Sequence, residues 1–496
     1  MTYCVLTLMG GFDPIKNQRT GRRRDGSGFE VTMGALPSVE QGTAASARKR
    51  RVGRPTALES GGGSLAAILS LIRNGVATTR LDIEREAELG RAVVSDRLAT
   101  LERLGLIGEG HLGPAIGGRA PRHVRFRAEG GCVLVAQVDR ASLAVGISDL
   151  AGALIVEHHE AVDLSGGPDA ILERLTVLFI WLLDERGGKS RAWAIGLALP
   201  EVALIDANDG DVFNAAGLDV LQAWRNFDFA TELSLRFGAP CWVRSNTQMM
   251  TLGEMRAGGA RGFQDILCVR LDRSVSAGVA SDGRLHRGSQ GYSGLIGHAP
   301  TGEAEDITCR CGAKGCLDVV ASGEALAREA LAAAKDGRSR YLAEMVERQG
   351  DVTANEVSHG AQLGDAFCAE LLARSGRLVG ETLAPLVNLL NPAVVVLAGA
   401  LAHSGEILLA AVREAIYRRS HPLVTRDLRI VRSELAGSAE LIGAAALALD
   451  ELFDLPRARE WVPLGMPRLQ PSFVDFLAAA KAQRRRPQAS PPSPAP

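Results

Sequence analysis

Three of the chain's eight cysteines, Cys309, Cys311 and Cys316, fall within eight positions of a 496-residue sequence, eleven residues after His298. The spacing Cys-x-Cys-x4-Cys, with Gly312 and Gly315 between the thiols to let the chain curl round an ion, brings four soft or borderline ligands together. Four is the count for a closed tetrahedral zinc site. Thiolates select zinc or iron–sulfur over magnesium, and three thiolates with one imidazole favour zinc. Such a set leaves no coordination position open, so the expected role is structural. The compartment agrees. The start "MTYCVLTLMGGFDP" lacks the basic flank and cleavage site of a secretory signal, and the longest apolar run, "AVVVLAGALA" at 393–402, is too short to span a bilayer. A cytoplasmic chain with no membrane partner is expected, where thiols stay reduced and close-set cysteines favour metal over disulfide.

At 496 residues the chain is long enough for two or three domains. A net charge of −1 excludes a whole-protein attraction to nucleic acid, so any basic surface is local. Residues 1–62 carry few apolar side chains and no sustained period, which predicts disorder. They end in "ARKRRVGRPTA", whose Arg50, Arg51 and Arg54 read either as a solvated tail or as an arm tracking DNA.

The segment 63–128 reads as a winged helix-turn-helix. "SLAAILSLIRNG" puts Leu65, Ile68, Leu69 and Ile72 on one face and stops at Gly75. A short helix follows, opened by Thr78 or Thr79, and then a third helix, "RAVVSDRLATLERLGLI", with Val94, Leu98, Leu101 and Leu104 as its buried stripe. A glycine-rich hairpin completes the wing. Residues 64–127 hold ten Arg against seven Asp plus Glu, a net of +3. Arg91, Ser95 and Arg97 on the third helix are predicted to face phosphates and base edges, with Arg119, Arg122, Arg125 and Arg127 arming the wing. The plainer reading is a small three-helix bundle without a partner.

From about 130 the pattern changes to three strand-like runs ("CVLVAQVD", "ASLAVGISD", "GALIVEHHEAVD"), a helix, and then alternating helix and strand. The sequence appears to do this twice, which predicts an α/β chain with mixed sheets. Lobe boundaries are set at 130–243, completed by a helix at about 438–453, and at 244–437, with a Pro/Arg-rich tail at 456–496. That tail is expected to be unstructured beyond an amphipathic piece around Phe473–Ala480.

Several motifs together resemble the ROK family of repressors, uncharacterised frames and sugar kinases. "GRLHRGSQGYSGLIGHAP" (283–300) is similar to its signature hairpin and Gly-Glu-x-Gly-His element. "CRCGAKGCLDVVAS" matches its cysteine run, "NLLNPAVVVLAGALA" and "AELIGAAALAL" its last strand and closing helix, and "GGRAP" the wing of its repressor branch. The resemblance covers about 64–453. It implies a two-lobed actin-like, hexokinase-like fold behind the winged helix, and a zinc-bound His298 that also faces a sugar.

The same resemblance argues against phosphoryl transfer, which needs a carboxylate base and bare glycine turns around the phosphates. The first turn, Asp-x-Gly-Gly-Thr in family kinases, reads "VDRASL": Asp139 remains, with Arg140, Ala141 and Ser142 after it. The second, Gly-Thr-Gly-Ile-Gly, is "DRSVSAG" with only Gly278 kept, and Thr247 stands where the base Asp belongs. No ATP cofactor is expected. Of the family's sugar contacts Asn246, His298 and Asp318 persist, while Thr247 and Leu295 replace carboxylates. The effector site is thus expected at Asn246, Thr247, His298 and Asp318, with Arg244 beside them for an acidic sugar or another anion. A less polar effector, a weakly held sugar and no ligand are all compatible with these changes. The expectation is a regulator, a repressor of carbohydrate-related genes, that acts as a homodimer or dimer of dimers on an operator; the alternative is a sugar kinase with an unusual site.

Overall fold

A computed structural model describes residues 61–112, 122–187, 191–201, 224, 227–403, 405–435 and 437–484. Arg50, Arg51, Arg54 and Arg119 therefore lie outside the described residues. The description begins with three helices, α1 (Gly61–Arg73), α2 (Arg80–Glu86) and α3 (Arg91–Arg103), and an antiparallel hairpin of β1 (Ile107–Leu112) and β2 (Arg122–Phe126). Thr79 opens α2, its hydroxyl accepting from the Asp82 amide; this is the cap a Thr supplies before an apolar-periodic run. Leu65, Ile68, Leu69 and Ile72 of α1 meet Ile83, Val94, Leu98 and Leu101 in the head's core, as their spacing predicts.

Two five-stranded sheets follow, and they repeat one topology. The first runs β5-β4-β3-β6-β7, from β3 (Cys132–Val138), β4 (Ser142–Ser148), β5 (Leu154–Ala161), β6 (Ala192–Leu199) and β7 (Cys241–Ser245). The second runs β10-β9-β8-β11-β12, from β8 (Ile266–Leu271), β9 (Val275–Ser281), β10 (Arg284–His286), β11 (Val394–Ala398) and β12 (Arg429–Arg432). In each, the first three strands form an antiparallel meander and the last two join in parallel. The doubled pattern seen in the sequence is thus a doubled sheet.

Both faces of each sheet are covered, which is why β3, β8 and β11 are buried throughout and mostly apolar rather than alternating. On β3, Leu134 and Ala136 pack with α4 (Gly167–Glu185), while Val133 and Val135 face the opposite side. On β8, Leu267 and Val269 join α11 (Ala366–Leu390) and α12 (Glu406–Arg419), while Ile266 and Cys268 face α6 (Asn246–Ala257). Between α4 and α6 the chain forms the short α5 (Phe229–Phe237), and before α11 it forms α7 (Leu317–Ala321), α8 (Gly323–Lys335), α9 (Arg340–Gln349) and α10 (Ala354–Gln362).

The element joining the parts is α13 (Ala439–Leu452), packed on β3 and β6 and crossing α6. Glycines allow that crossing: a Cβ on Gly253 would lie 1.9 Å from the Ala439 carbonyl oxygen, and one on Gly443 1.7 Å from that of Met249. Leu441, Ala445, Leu449 and Leu452 of α13 belong to the same continuous core as the head's α1 and α3. Rings extend the joint. Phe453 meets Phe126 of β2 edge-on at 5.7 Å and Trp461 at 5.4 Å, and the Arg73 guanidinium sits 4.3 Å above the Phe453 ring.

The C-terminal segment departs from expectation. Residues read as mostly unstructured form α14 (Leu455–Trp461) and α15 (Pro471–Arg484), joined by two 3-10 turns. Trp461 and Val462 are fully buried against the head, and the Trp461 indole donates to the Leu452 carbonyl at 2.9 Å. Prolines and arginines are scattered through this stretch, but large apolar residues against a neighbouring core are enough to order it. No helix among the described residues is long and apolar enough to cross a membrane.

Candidate functional site

His298 closes a short 3-10 turn, Ile296–His298, and the loop after it returns past β9 so that Cys309, Cys311 and Cys316 converge on its ring. Their four ligand atoms lie within 4.8 Å of one another. Zinc with Zn–S of about 2.3 Å and Zn–N of about 2.0–2.1 Å sets neighbouring sulfurs about 3.8 Å apart and sulfur and nitrogen about 3.6 Å apart. The Cys311 and Cys316 sulfurs are 3.7 Å apart, and the Cys309 sulfur is 3.5 Å from His298 Nδ1. The donor set and its edges fit a tetrahedral cation bound through Nδ1. Gly312 and Gly315 make the curl, with φ of 88° and 63°. Burial pushes the Cys309 thiol up and, with the Cys311 thiol, drives Cys316 to about 12. Burial also holds the His298 imidazole below its ordinary value, hence neutral, the form that ligates.

Beside this cluster a cleft enclosing about 1100 Å³, including the solvent at its mouth, runs between the ends of the two sheets. His298, Asp318 and Leu295 line it, as the resemblance implied, but Asn246, Thr247 and Arg244 do not. Asn246 and Thr247 form the first turn of α6 and are buried under the cleft floor, capped by Ser245, whose hydroxyl accepts from the Gln248 amide. Asn246 Nδ2 donates to the Val138 carbonyl at 3.0 Å. Arg244 turns back on its own strand and donates to the Val243 carbonyl. The register explains the displacement: Ser245 and Gln248, not their neighbours, point into the cleft.

Thr247 is not idle. Its hydroxyl bonds Glu201 Oε1 at 2.5 Å and Ser276 Oγ at 2.6 Å, both residues of the cleft wall. Glu201 was not singled out in the sequence. It follows Pro200 just past the end of β6, and only the parallel register pairing Leu199 with Ser245 brings it to α6. An acidic side chain directly after a fully apolar strand was the available signal. Asp318, too, is engaged at both oxygens, Oδ1 accepting from the Val275 amide at 2.7 Å and Oδ2 from Arg310 at 2.7 Å.

The two turns that border phosphates in family kinases meet at Arg270. Its guanidinium, buried at the end of β8, pairs with Asp139 of the first turn, Asp272 of the second (3.3 Å) and Glu440 of α13 (3.7 Å). Burial opposes the charge on both Asp139 and Arg270, but their attraction outweighs it, holding Asp139 below and Arg270 above their ordinary values. Burial pushes Glu440 up to about 7 against the pull of Arg270. Arg270 lines both the cleft and a second cavity, bounded by Gln137, Ser142, Gly399 and Glu440, and so stands as the wall between them. Gly278, the one glycine kept from the second turn, serves packing: a Cβ there would lie 1.9 Å from the Thr251 hydroxyl.

On the head, Arg91 is exposed at the start of α3 and Ser95 is half-buried one turn on. Arg97 is committed elsewhere. Its Nε donates to the fully buried Ser64 hydroxyl of α1 at 2.9 Å, and a terminal nitrogen pairs with Asp96 at 2.7 Å, so it braces two helices rather than reaching outward. Arg122 contributes backbone to β2, and Arg125 pairs with Glu129 at 2.7 Å.

The chain is similar to several known proteins. The chain is 24% identical over 390 residues to the xylose repressor of Caldicellulosiruptor bescii, covering 78% of this chain and 96% of that one. It is 28% identical over 388 residues to the DNA-binding transcriptional dual regulator NagC of Escherichia coli K12, covering 77% and 91%. A crystal structure of a ROK family transcriptional regulator, a homologue of the E. coli MLC protein, superposes with a TM-score of 0.65 at 22% identity, covering 81% of this chain and 98% of that one. The family model for ROK matches residues 143–451. With its doubled sheet, cysteine loop and cleft between the lobes, the chain belongs to the ROK family.

Proposed function

We propose that this protein is a DNA-binding transcriptional regulator, a repressor of carbohydrate-related genes, with a structural zinc and a cleft that senses a small molecule without phosphorylating it. The observation that carries the reading is the continuous core joining the winged head to α13, because α13 also carries Glu440, which pairs with Arg270 of the cleft wall. A ligand that favours one arrangement of the two lobes would thereby favour one placement of the head. Arg91 and Ser95 on α3 are the candidates for contact with DNA. The names of the two sequence relatives, a xylose repressor and a DNA-binding transcriptional dual regulator, support a regulator. A homodimer, or a dimer of dimers, would set two recognition helices about one helical turn apart on a near-palindromic site.

Zinc is the metal that the donors and distances favour, held by His298, Cys309, Cys311 and Cys316. Four protein ligands leave it no free position, so it would order the loop and supply no chemistry. Non-enzymatic function rests on two further points. A threonine hydroxyl is no base near neutral pH, and Arg140 and Arg273 put side chains in the two turns where phosphoryl transfer needs bare glycine backbone.

Gel-shift and footprinting on DNA upstream of the protein's own and neighbouring genes test the reading. A protected, two-fold site is expected, and absence of binding at low ionic strength would overturn it. One observation favours a second reading, a sugar kinase of unusual construction: the Glu201 carboxylate, 2.5 Å from Thr247, returns an acid to the neighbourhood of the missing base. Turnover in an ATP-coupled sugar assay that disappears in Glu201→Gln would establish that alternative.

A further inference from the structure

The cleft wall holds four arginines, and their partners divide them. Arg270 is consumed by Asp139, Asp272 and Glu440, whereas Arg310 spends one nitrogen on Asp318. Arg140 and Arg273 have no ion-pair partner among the described residues, although Arg140 is half-buried. Arg140 also lies close enough to Arg310 and Arg273 to be repelled by both, a like-charge cluster inside a partly desolvated wall. The acids that face the same space are accounted for: Asp139, Asp272 and Asp318 are paired, Glu201 is bonded to Thr247, and Glu324 of α8 acts with Asp139 as counter-charge to Arg140. Two guanidinium groups without an ion pair, Arg140 and Arg273, gathered beside Arg310 form a receptor for an anion, since the fork geometry of Arg binds phosphate or carboxylate bidentately. The same cleft also presents His298, Gln248 and the Glu201–Thr247–Ser276 hydrogen bonds, which offer the donors and acceptors that hydroxyl groups need.

We propose that the cleft recognises a hydroxylated small molecule bearing an acid group, phosphate or carboxylate, held by Arg140, Arg273 and Arg310 with its hydroxyls turned toward Glu201, Ser276 and His298. Resting on the sensor reading above, the proposal names the ligand class of that site. Arg140 and Arg273 stand in the two turns where family kinases keep glycines, so the cleft has exchanged backbone that surrounds a nucleotide's phosphates for side chains that grip an anion on the ligand. Arg310, between Cys309 and Cys311, is aimed by the metal loop itself, which gives the structural cluster a part in recognition.

The test uses the full chain loaded with zinc, calorimetry and thermal melting. Inorganic phosphate, against chloride of equal ionic strength, should raise the melting temperature. Among glucose, glucose 6-phosphate and glucuronate, an anionic member should bind at least about tenfold more tightly than glucose. Tightening by the phosphate alone or by the uronate alone identifies which acid the site takes. Arg140→Gln with Arg273→Gln should bring that preference within about twofold while zinc content and DNA binding stay unchanged. Equal response to phosphate and chloride together with no tightening by either acid, or a preference that survives the double substitution, would overturn the proposal. DNA binding, read separately, shows whether the regulator reading stands or falls on its own.

Discussion

Arg270 places positive charge between two acidic turns. Asp139 and Asp272 would repel each other across the wall without it, and removing one member of a buried cluster leaves the others uncompensated. Glu440, the fourth member, carries a pH signature. Burial raises it to about 7 from an ordinary 4.5, so the folded protein holds this proton more tightly than the unfolded chain does. The resulting stability is full below 4.5 and is lost as pH rises through 7. Glu440→Gln abolishes that titration beside Arg270, Asp139 and Asp272. In urea unfolding between about pH 5 and pH 8, the parent should lose stability relative to the variant by up to about 1.4 kcal/mol per pH unit. Parallel curves would show that Glu440 is ionised throughout. Cys311→Ser tests the neighbouring cluster: zinc bound per chain should fall well below one, with a melting temperature lower by several degrees, about the effect of losing a structural ligand.

Among the elements, α3 was legible from its apolar spacing, but the role of its polar face was not. Arg91 and Arg97 look alike in sequence; only the packing of α1 against α3 brings the Ser64 hydroxyl to one of them. Arg97→Ala should therefore cost about 1–2 kcal/mol in urea unfolding, the loss of a charged hydrogen bond, whereas Arg91→Ala should leave stability unchanged and weaken DNA binding in gel shifts. Equal effects on DNA binding would restore Arg97 to the interface. The joint at Phe453 belongs to the same scale. Phe453→Ala removes its contacts with Phe126, Trp461 and Arg73, and should destabilise the protein by about 2–3 kcal/mol, at the low end for an aromatic truncation because the ring is only half-buried. Thermal melting with and without ligand reads its second consequence: the head should unfold at a lower temperature than the two sheets, separating a single transition into two.

For the whole molecule, a regulator whose contacts are local and basic on a chain of net charge −1 should bind DNA with a steep salt dependence, the logarithm of the binding constant falling linearly with that of salt concentration. A flat response would place the interaction elsewhere than on phosphates. Sequence alone determined the periodic and the covalently close features of this protein. Apolar spacing defines the head's core, repeated strand runs define two sheets of one topology, and four ligands within nineteen positions define the metal cluster. Each follows from residues that act over a few positions along the chain. Tertiary structure decided what depends on distant segments meeting. The parallel register of β6 and β7 sets Glu201 against Thr247, and the end of β8 sets Arg270 against Asp139 and Glu440. The docking of Trp461 orders a C-terminal segment whose composition reads as loose. No local pattern encodes these pairings, because a charge or hydroxyl acquires its role from the partner that folding brings to it.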